Sequence, residues 1–297
     1  MVKRFKKDWP FHLLLIPGVI LTFIFSYMPM YGLVMAFQNY NPGLGFFRSP
    51  WVGLANFRLI FAQTQFRSTI YNTIYISIFK IILGTLSSVV FALLLNEIRL
   101  TAAKRVFQTI VYIPNFISWV IMAGILINIL ATDGLVNMVL GFFRIPRVQF
   151  ISNRGVFPWT LIVTDIWKTF GFGTVVYLAS ITSIDPELYE SAVIDGAGRW
   201  KQTRYVTIPM LYSIIILMTV LALGNVLNAG FDQVYNLYSP VVYPTGDIID
   251  TYVYRLGLQN GKYAIGTAVG LFKSVISCVL ISASLYLAYK VANYRVF

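Results

Sequence analysis

The feature that most constrains this chain is the recurrence of apolar runs long enough to cross a bilayer, set between short polar connectors. A spanning helix needs about 18–20 apolar residues. Six runs meet that length: Phe11 to Phe37, Thr69 to Leu95, Val106 to Leu130, Pro158 to Ile181, Ile208 to Phe231 and Ile265 to Ala288. Only 11% of the 297 residues are charged, against about 25% in a typical soluble domain. The pattern predicts an all-α membrane protein with about six transmembrane helices, organised as one membrane domain over residues 1–297. Pro17, Gly18 and Pro29 predict kinks in the first span. The basic start M-V-K-R-F-K-K resembles a signal peptide, but the apolar run continues to Phe37 without a small-residue cleavage site, so it is expected to stay as the first span.

Orientation follows from the basic residues. With the termini inside, the inner segments hold 12 of the 23 Lys and Arg residues and the longer outer connectors hold eight. That density difference predicts N-in and C-in for a multi-pass membrane protein. It also accounts for the net charge of +12 without nucleic acid, because the bases are scattered among connectors rather than gathered on one soluble face. Lys80, Lys168 and Lys273 fall inside spans. Lys80 and Lys273 read either as helix-packing partners or as signs of mis-set boundaries.

Several chemistries are excluded. The one cysteine, Cys278, cannot close an intramolecular disulfide. The one histidine, His12, sits beside the first span as an interfacial residue and leaves no His-based metal cluster. No Walker-type phosphate loop, G-x-S-x-G or H-E-x-x-H occurs, so the chain is not expected to hydrolyse ATP or act as an intramembrane enzyme. A carrier, a channel or a transporter subunit remains.

The most patterned polar stretch is Asp185 to Pro209, D-P-E-L-Y-E-S-A-V-I-D-G-A-G-R-W-K-Q-T-R-Y-V-T-I-P. It carries four of the eleven acids, then a Gly-Ala-Gly break, then Arg199, Lys201 and Arg204. Asp185-Pro186-Glu187 is a strong helix start: Asp caps, Pro suits the first position and Glu favours the positive end. Leu188, Ala192 and Val193 share a face with Tyr189 beside them, and Gly196 and Gly198 end the helix. A second helical segment is expected over Arg199 to Val206, with Pro209 in the first turn of the fifth span. From the residues alone this is either a helix that docks into a partner's groove or a plain hairpin joining two spans.

The run E-S-A-V-I-D-G-A-G, with Ile208-Pro209 after it, resembles the EAA signature of binding-protein-dependent ABC importer permeases. Glu190, Ala192, Gly196 and Pro209 match the pattern; Ser191 departs at the middle position, and T-I-P stands where the family has L-P. P-E-L-Y-E-S-A-V-I-D-G-A-G-R-W-K-Q-T is similar to the carbohydrate-importer branch, and G-N-V-L-N-A-G-F-D-Q-V-Y-N-L-Y-S-P and D-T-Y-V-Y-R-L-G-L to its LplB-like subgroup. The resemblance covers most of the chain from the second span onward. It implies a type I ABC importer permease fold, with Leu188, Tyr189, Glu190, Ala192, Asp195, Gly196, Ala197 and Pro209 in the loop that couples to a cytoplasmic ATPase dimer. The ATPase would bind ATP and Mg, and this chain no cofactor. A second homologous permease, an extracytoplasmic solute-binding protein and an oligosaccharide cargo, polysaccharide-derived, are implied as partners beside membrane lipid. The rival readings are a secondary sugar carrier or channel, a permease for another solute such as a peptide, and a structural subunit.

Polar residues inside spans mark pathway candidates. Asp165 and Lys168, three apart around Trp167, form either an internal ion pair or a pathway lining. Asn225, Asn228 and Asp232 make a polar stripe in the fifth span, followed by Tyr235, with Gly224 and Gly230 allowing close approach. Such amides, carboxylates and rings suit sugar hydroxyls and C–H faces, and equally suit contacts between spanning helices.

Overall fold

The computed structural model describes residues 2–292, which form helices joined by turns and loops. They divide into two compact units: residues up to Gln63 with Val253–Phe272, and Thr64–Tyr252 with the residues from Lys273 onward.

In the first unit, α1 (Val2–Thr22) runs through Pro17 and Gly18 without ending. The α geometry is lost further on, in a π turn (Phe23–Tyr27) and a 3-10 stretch (Met28–Phe37) that has Pro29 in its first turn. Just before this change the Thr22 hydroxyl donates to the Gly18 carbonyl at 2.8 Å, a back-bond that often bends helices. The segment then turns at an isolated antiparallel bridge between Gln38 and Trp51. Asn56 Nδ2 clamps this turn by donating to the carbonyls of Ala36 and Gln38, both at 2.9 Å. The short helices α2 (Gly45–Arg48) and α3 (Ala55–Ala62) complete the segment. Tyr40 meets Tyr263 edge-on at 6.3 Å, and Phe61 meets Phe272 at 5.1 Å.

The second unit opens with α4 (Thr64–Glu97), α5 (Thr101–Phe116), α6 (Trp119–Ile129), α7 (Leu135–Phe142) and α8 (Phe157–Thr182). The loop helices α9 (Pro186–Ile194) and α10 (Arg199–Gln202) follow, then α11 (Ile208–Gly224). The short helices α12 (Phe231–Leu237), α13 (Tyr243–Gly246) and α14 (Ile249–Val253) come next. The chain then passes back into the first unit at a π turn (Tyr254–Gln259) that leads to α15 (Tyr263–Ala292), whose residues from Lys273 belong again to the second.

Among the described residues, five stretches are long and apolar enough to cross a membrane: Phe11–Phe37, Thr64–Glu97, Phe157–Thr182, Arg199–Gly224 and Tyr263–Lys290. Two sequence expectations change. The third span is not continuous: α5 and α6 meet at a 103° bend, because Ile117 and Ser118 are extended and Ser118 starts a new helix as its N-cap. The fifth span begins earlier, at Arg199, and ends at Gly224 rather than at Phe231.

α4 explains why these residues suit lipid. Its buried face mixes small polar residues, Thr69, Asn72, Thr73, Ser77 and Ser88, with Phe66, Ile76 and Leu95, while Ile82, Leu86, Val90 and Leu94 form an exposed apolar stripe at four-residue spacing. With lipid outside, helices associate through close packing and hydrogen bonds rather than the hydrophobic effect. The α4–α8 contact follows that rule. Ser88 Oγ donates to the Phe170 carbonyl at 3.0 Å, and Thr174 Oγ1 lies 3.3 Å from the Ser88 carbonyl. Gly173 lets Ser88 approach, and Gly171 lies against the Val111 backbone of α5, where a Cβ would collide with the carbonyl.

The connectors of this unit are built rather than loose. Asn137 is buried and uses all of its local bonds, donating to the Ala131 and Val148 carbonyls (both 2.9 Å) and accepting from Val148 N (2.8 Å). Asn72 of α4 holds the Pro244 and Asp247 carbonyls at 3.1 and 3.2 Å, and Thr73 accepts from Ile249 N at 2.9 Å. The segment 231–252 is thereby pinned to α4. Beneath it lies an apolar cluster that includes Ile76, Met122, Phe157, Leu161, Val234 and Ile248.

Gly171→Ala is expected to lower the melting temperature in detergent, because a backbone carbonyl cannot yield as a side chain would. Overpacking of this kind costs about 1–3 kcal/mol. Gly84→Ala, with open space at its Cβ, is expected to melt no lower than the parent; equal melting of the two variants would refute the close contact.

Candidate functional site

Two polar constructions stand out, a cavity inside the second unit and the loop between α8 and α11. The cavity, of about 290 Å³, is lined by Ser77 and Lys80 of α4, Asp165 of α8, and Asn225, Asn228 and Gly230 from the break after α11. A second cavity of about 410 Å³ shares Lys80, Ile81 and Ala222 with it and continues along α4 past Gly84 to Ser88. The two make a seam along α4, α8 and α11 in which polar side chains are set in mainly apolar walls.

The break after α11 makes this site. Asn225 ends the helix, and Gly230 adopts φ +95°, a left-handed conformation that costs a residue with a Cβ. This turn aims the Ala229 carbonyl at Lys80, whose Nζ donates to it at 2.8 Å. The same ammonium binds Gln233 Oε1 and lies 3.3 Å from Asp165 Oδ1. Gln233, fully buried, donates in turn to the Leu161 carbonyl (2.7 Å) and to Thr164 Oγ1 (2.9 Å). Lys80 is 9% exposed and Asp165 22%, so the pair sits in a low dielectric where each charge needs its partner. A side chain on residue 230 would crowd the ammonium, since its Cβ would sit 3.3 Å from Nζ.

Lys168 does the same work at the other broken helix. It does not pair with Asp165, as the three-residue spacing suggested. It donates instead to the Asn115 carbonyl at the end of α5 at 2.9 Å, and sits 5.4 Å from the centre of the Trp119 ring that opens α6. A cation there satisfies the free carbonyls of a helix C-terminus. Lys273 is likewise occupied: it binds Asp250 Oδ1 at 2.5 Å and Asn228 Oδ1 at 2.7 Å.

The structure thus gathers Asp165, Asn225 and Asn228 at one cavity and separates the other pathway candidates from it. Lys168 is buried at the α5–α6 bend. Trp167 lies on the exposed face of α8 with Trp159 and Val163. Asp232 is exposed in the first turn of α12, and Tyr235 stacks on Phe231 at 5.3 Å. The polar stripe is not a helical face, because the helix stops at Gly224. Sequence reasoning left Lys80 unassigned and missed Ser77 and Gln233; Lys80 in an otherwise apolar run was the available signal.

The loop is built as its residues direct. Asp185 Oδ1 accepts from Glu187 N at 3.0 Å, and Pro186 opens α9. Gly196, at φ +74°, closes it: its N–H reaches the Val193 carbonyl at 3.0 Å and Ala197 N reaches the Ala192 carbonyl at 2.8 Å. This is a Schellman cap, in which glycine supplies the left-handed turn. Ser191 donates to the Glu187 carbonyl at 2.8 Å, so its hydroxyl needs no other partner. Two contacts tie the loop to the spans. Tyr189 OH and Thr207 Oγ1 are 2.9 Å apart, and Arg199 Nη1 meets Glu97 Oε2 at the end of α4, also at 2.9 Å.

Of the coupling candidates, Leu188, Glu190, Asp195, Gly196 and Pro209 are exposed, whereas Tyr189, Ala192 and Ala197 are partly covered. Ile194, 86% exposed, and Val193 and Trp200 present the largest apolar surface of the loop. Ile194 was missed because the helical face was counted from Leu188.

Lys80→Met would leave the Asp165 carboxylate and the Ala229 carbonyl without their ammonium. Removing one partner of a buried pair costs about 3–5 kcal/mol, so a marked fall in melting temperature is expected. Lys80→Met/Asp165→Asn should recover part of it; a parent-like single variant would refute the role.

Comparison with known proteins fits this architecture. The family described as binding-protein-dependent transport system inner membrane component matches residues 80–296. Protein LplB of Bacillus subtilis (strain 168) is 38% identical over 286 residues, which cover 96% of this chain and 90% of LplB. The polygalacturonan/rhamnogalacturonan transport system permease protein YteP of the same organism is 39% identical over 280 residues, covering 94% and 87%. A crystal structure of a bacterial ABC transporter involved in the import of the acidic polysaccharide alginate superposes with a TM-score of 0.89 at 38% identity, covering 97% of this chain and 98% of the other. A bacterial alginate ABC transporter in complex with an alginate pentasaccharide-bound periplasmic protein gives 0.90 at 37% identity, covering 100% and 99%. With the family matched over most of its length and relatives near 40% identity, the chain belongs to the binding-protein-dependent transport system inner membrane components.

Proposed function

We propose that this chain is one transmembrane subunit of an ATP-driven importer for oligosaccharides released from a polysaccharide. The observation that carries the reading is the capped helix α9, which offers Leu188, Val193 and Ile194 outward while its Tyr189 contacts Thr207 and Arg199 of the following α10 meets Glu97 of α4. The names of the relatives support the cargo class: one serves polygalacturonan and rhamnogalacturonan transport, and a solved neighbour imports alginate.

In this reading the chain pairs with a second homologous permease. A cytoplasmic ATPase dimer binds ATP and Mg, and this chain carries no ATPase site of its own. An extracytoplasmic binding protein delivers the sugar, and the termini and the Asp185–Pro209 loop lie on the inner side. Closure of the ATPase pair moves α9. Tyr189 passes that displacement to Thr207 and so to α11, whose end carries Asn225. Arg199 passes it to Glu97 and so to α4, which carries Ser77 and Lys80. Both routes reach the walls of the polar cavity, so a motion at the loop alters the groups that meet the cargo. A ligand shifts such an equilibrium only by the difference in its contacts between the two states. Asn225 supplies hydrogen-bond partners for sugar hydroxyls, and the Lys80–Asp165 pair keeps the lining near neutral.

Ile194→Asp is expected to reduce recovery of the ATPase with this chain by about tenfold or more, since a charge placed in an apolar contact costs roughly 1.4 kcal/mol or more. Insertion and melting should stay as in the parent because Ile194 is exposed; parent-like recovery and uptake would sink the docking role. Asn225→Leu should raise the apparent KM for oligosaccharide uptake with the complex intact, and unchanged uptake kinetics would remove Asn225 from the pathway.

A further inference from the structure

The Arg199–Glu97 bridge separates two recesses that the transport cycle, as described, does not use. On one side is an apolar groove of about 490 Å³, lined by Val90, Leu93 and Leu94 of α4, Ile208 of α11 and Trp200. On the other is a polar pocket of about 290 Å³ with Arg99, Asn96 and Gln202 in its walls. Glu97, Arg199 and Thr203 line both. The pairing is that of an amphiphile: a slot for an acyl chain beside a basic, hydrogen-bonding recess for a charged head, with the bridge between them.

We propose that this is a binding site for an anionic phospholipid of the inner leaflet, with its phosphate between Arg99 and Arg199 and an acyl chain in the groove. The proposal rests on the inner placement of the Asp185–Pro209 loop. The groove belongs to the last turns of a spanning helix, at the depth where acyl chains give way to headgroups. Trp200, 74% exposed, stands at its rim, as tryptophan does at membrane interfaces. Guanidinium groups bind phosphate bidentately, and the cationic group of a zwitterionic head would be repelled by the same two arginines, which favours a head without one. The bridge that must open is an exposed one, with Arg199 54% and Glu97 44% exposed, and such pairs hold weakly. A phosphate therefore competes with Glu97 for Arg199. Occupancy would loosen the tie between the loop and α4 while leaving the Tyr189–Thr207 tie in place, which makes the inner-leaflet composition a regulator of coupling.

The test uses the full chain reconstituted in phosphatidylcholine vesicles, with brominated phosphatidylglycerol or brominated phosphatidylcholine as quencher. Emission from Trp200 is obtained as the difference from Trp200→Phe. Brominated phosphatidylglycerol should quench that emission about threefold more than brominated phosphatidylcholine at equal mole fraction, as expected for attraction of an anionic lipid to basic side chains. Arg99→Gln/Arg199→Gln should remove the difference while keeping the quenching. Equal quenching by both lipids in the parent would reduce the groove to ordinary lipid contact and overturn the proposal. Absence of quenching by either would place the groove out of the bilayer, and an undiminished preference in the double variant would deny the arginines their role; each overturns it. No ATPase is needed for this measurement, so a failure of docking at Ile194 and a failure of lipid binding are read separately.

Discussion

The cavity of the second unit depends on a buried ammonium held at a place where the backbone is not helical. A broken helix inside a membrane leaves carbonyls that water cannot satisfy. Lys80 meets that need at the α11–α12 break by binding the Ala229 carbonyl, and it is balanced by Asp165 and steadied by Gln233. Without the break, Asn225 and Asn228 would turn with the helix instead of gathering beside Asp165. Without the ammonium, the break would be costly to bury. The polar residues of the site are thus also what allows the chain to bend there.

The same device recurs at the α5–α6 bend, where Lys168 binds the Asn115 carbonyl and faces the Trp119 ring. Lys273 joins Asn228 to Asp250 and so fixes the far side of the first break to α14. Three lysines that look misplaced in apolar runs therefore each hold an irregular junction. Elsewhere the helices meet by glycine and serine contacts, as between Gly173 and Ser88, which favour packing without demanding charge. The division is physical: straight helices need only close approach, and broken ones need a donor.

Most of the architecture was legible in the sequence because apolar length is a strong signal. The first span matches its expected bounds, and the second, fourth and sixth differ by a few residues at their ends. The two misread spans fail for one reason. Hydropathy runs on through Ile117-Ser118 and through Asn225 to Gly230, whereas the helices stop there. In the coupling loop the caps were readable from Asp185, Pro186 and Gly196, since cap chemistry is local. Which residues point outward was less so: Tyr189 turns in to Thr207, and Ile194 carries the exposed surface. The Asp165–Lys168 pairing suggested by spacing was replaced by two longer reaches, because a lysine side chain can select a partner on another helix that spacing along its own does not reveal.

The π turn at Thr203–Thr207 has a consequence for how the loop and the site are phased. There the Ile208 N–H bonds to the Thr203 carbonyl, five residues back, so the turn holds one residue more than an α turn. Each residue of an α-helix advances by about 100° around the axis. That one additional residue sets the angular offset between α10, with Arg199 and Trp200, and α11, with Leu211 buried. Were the turn to relax to ordinary α geometry, the two would rotate against each other while the chain stayed helical throughout. The junction is a register point, a place where torque applied to the loop can become rotation of the span without any helix melting.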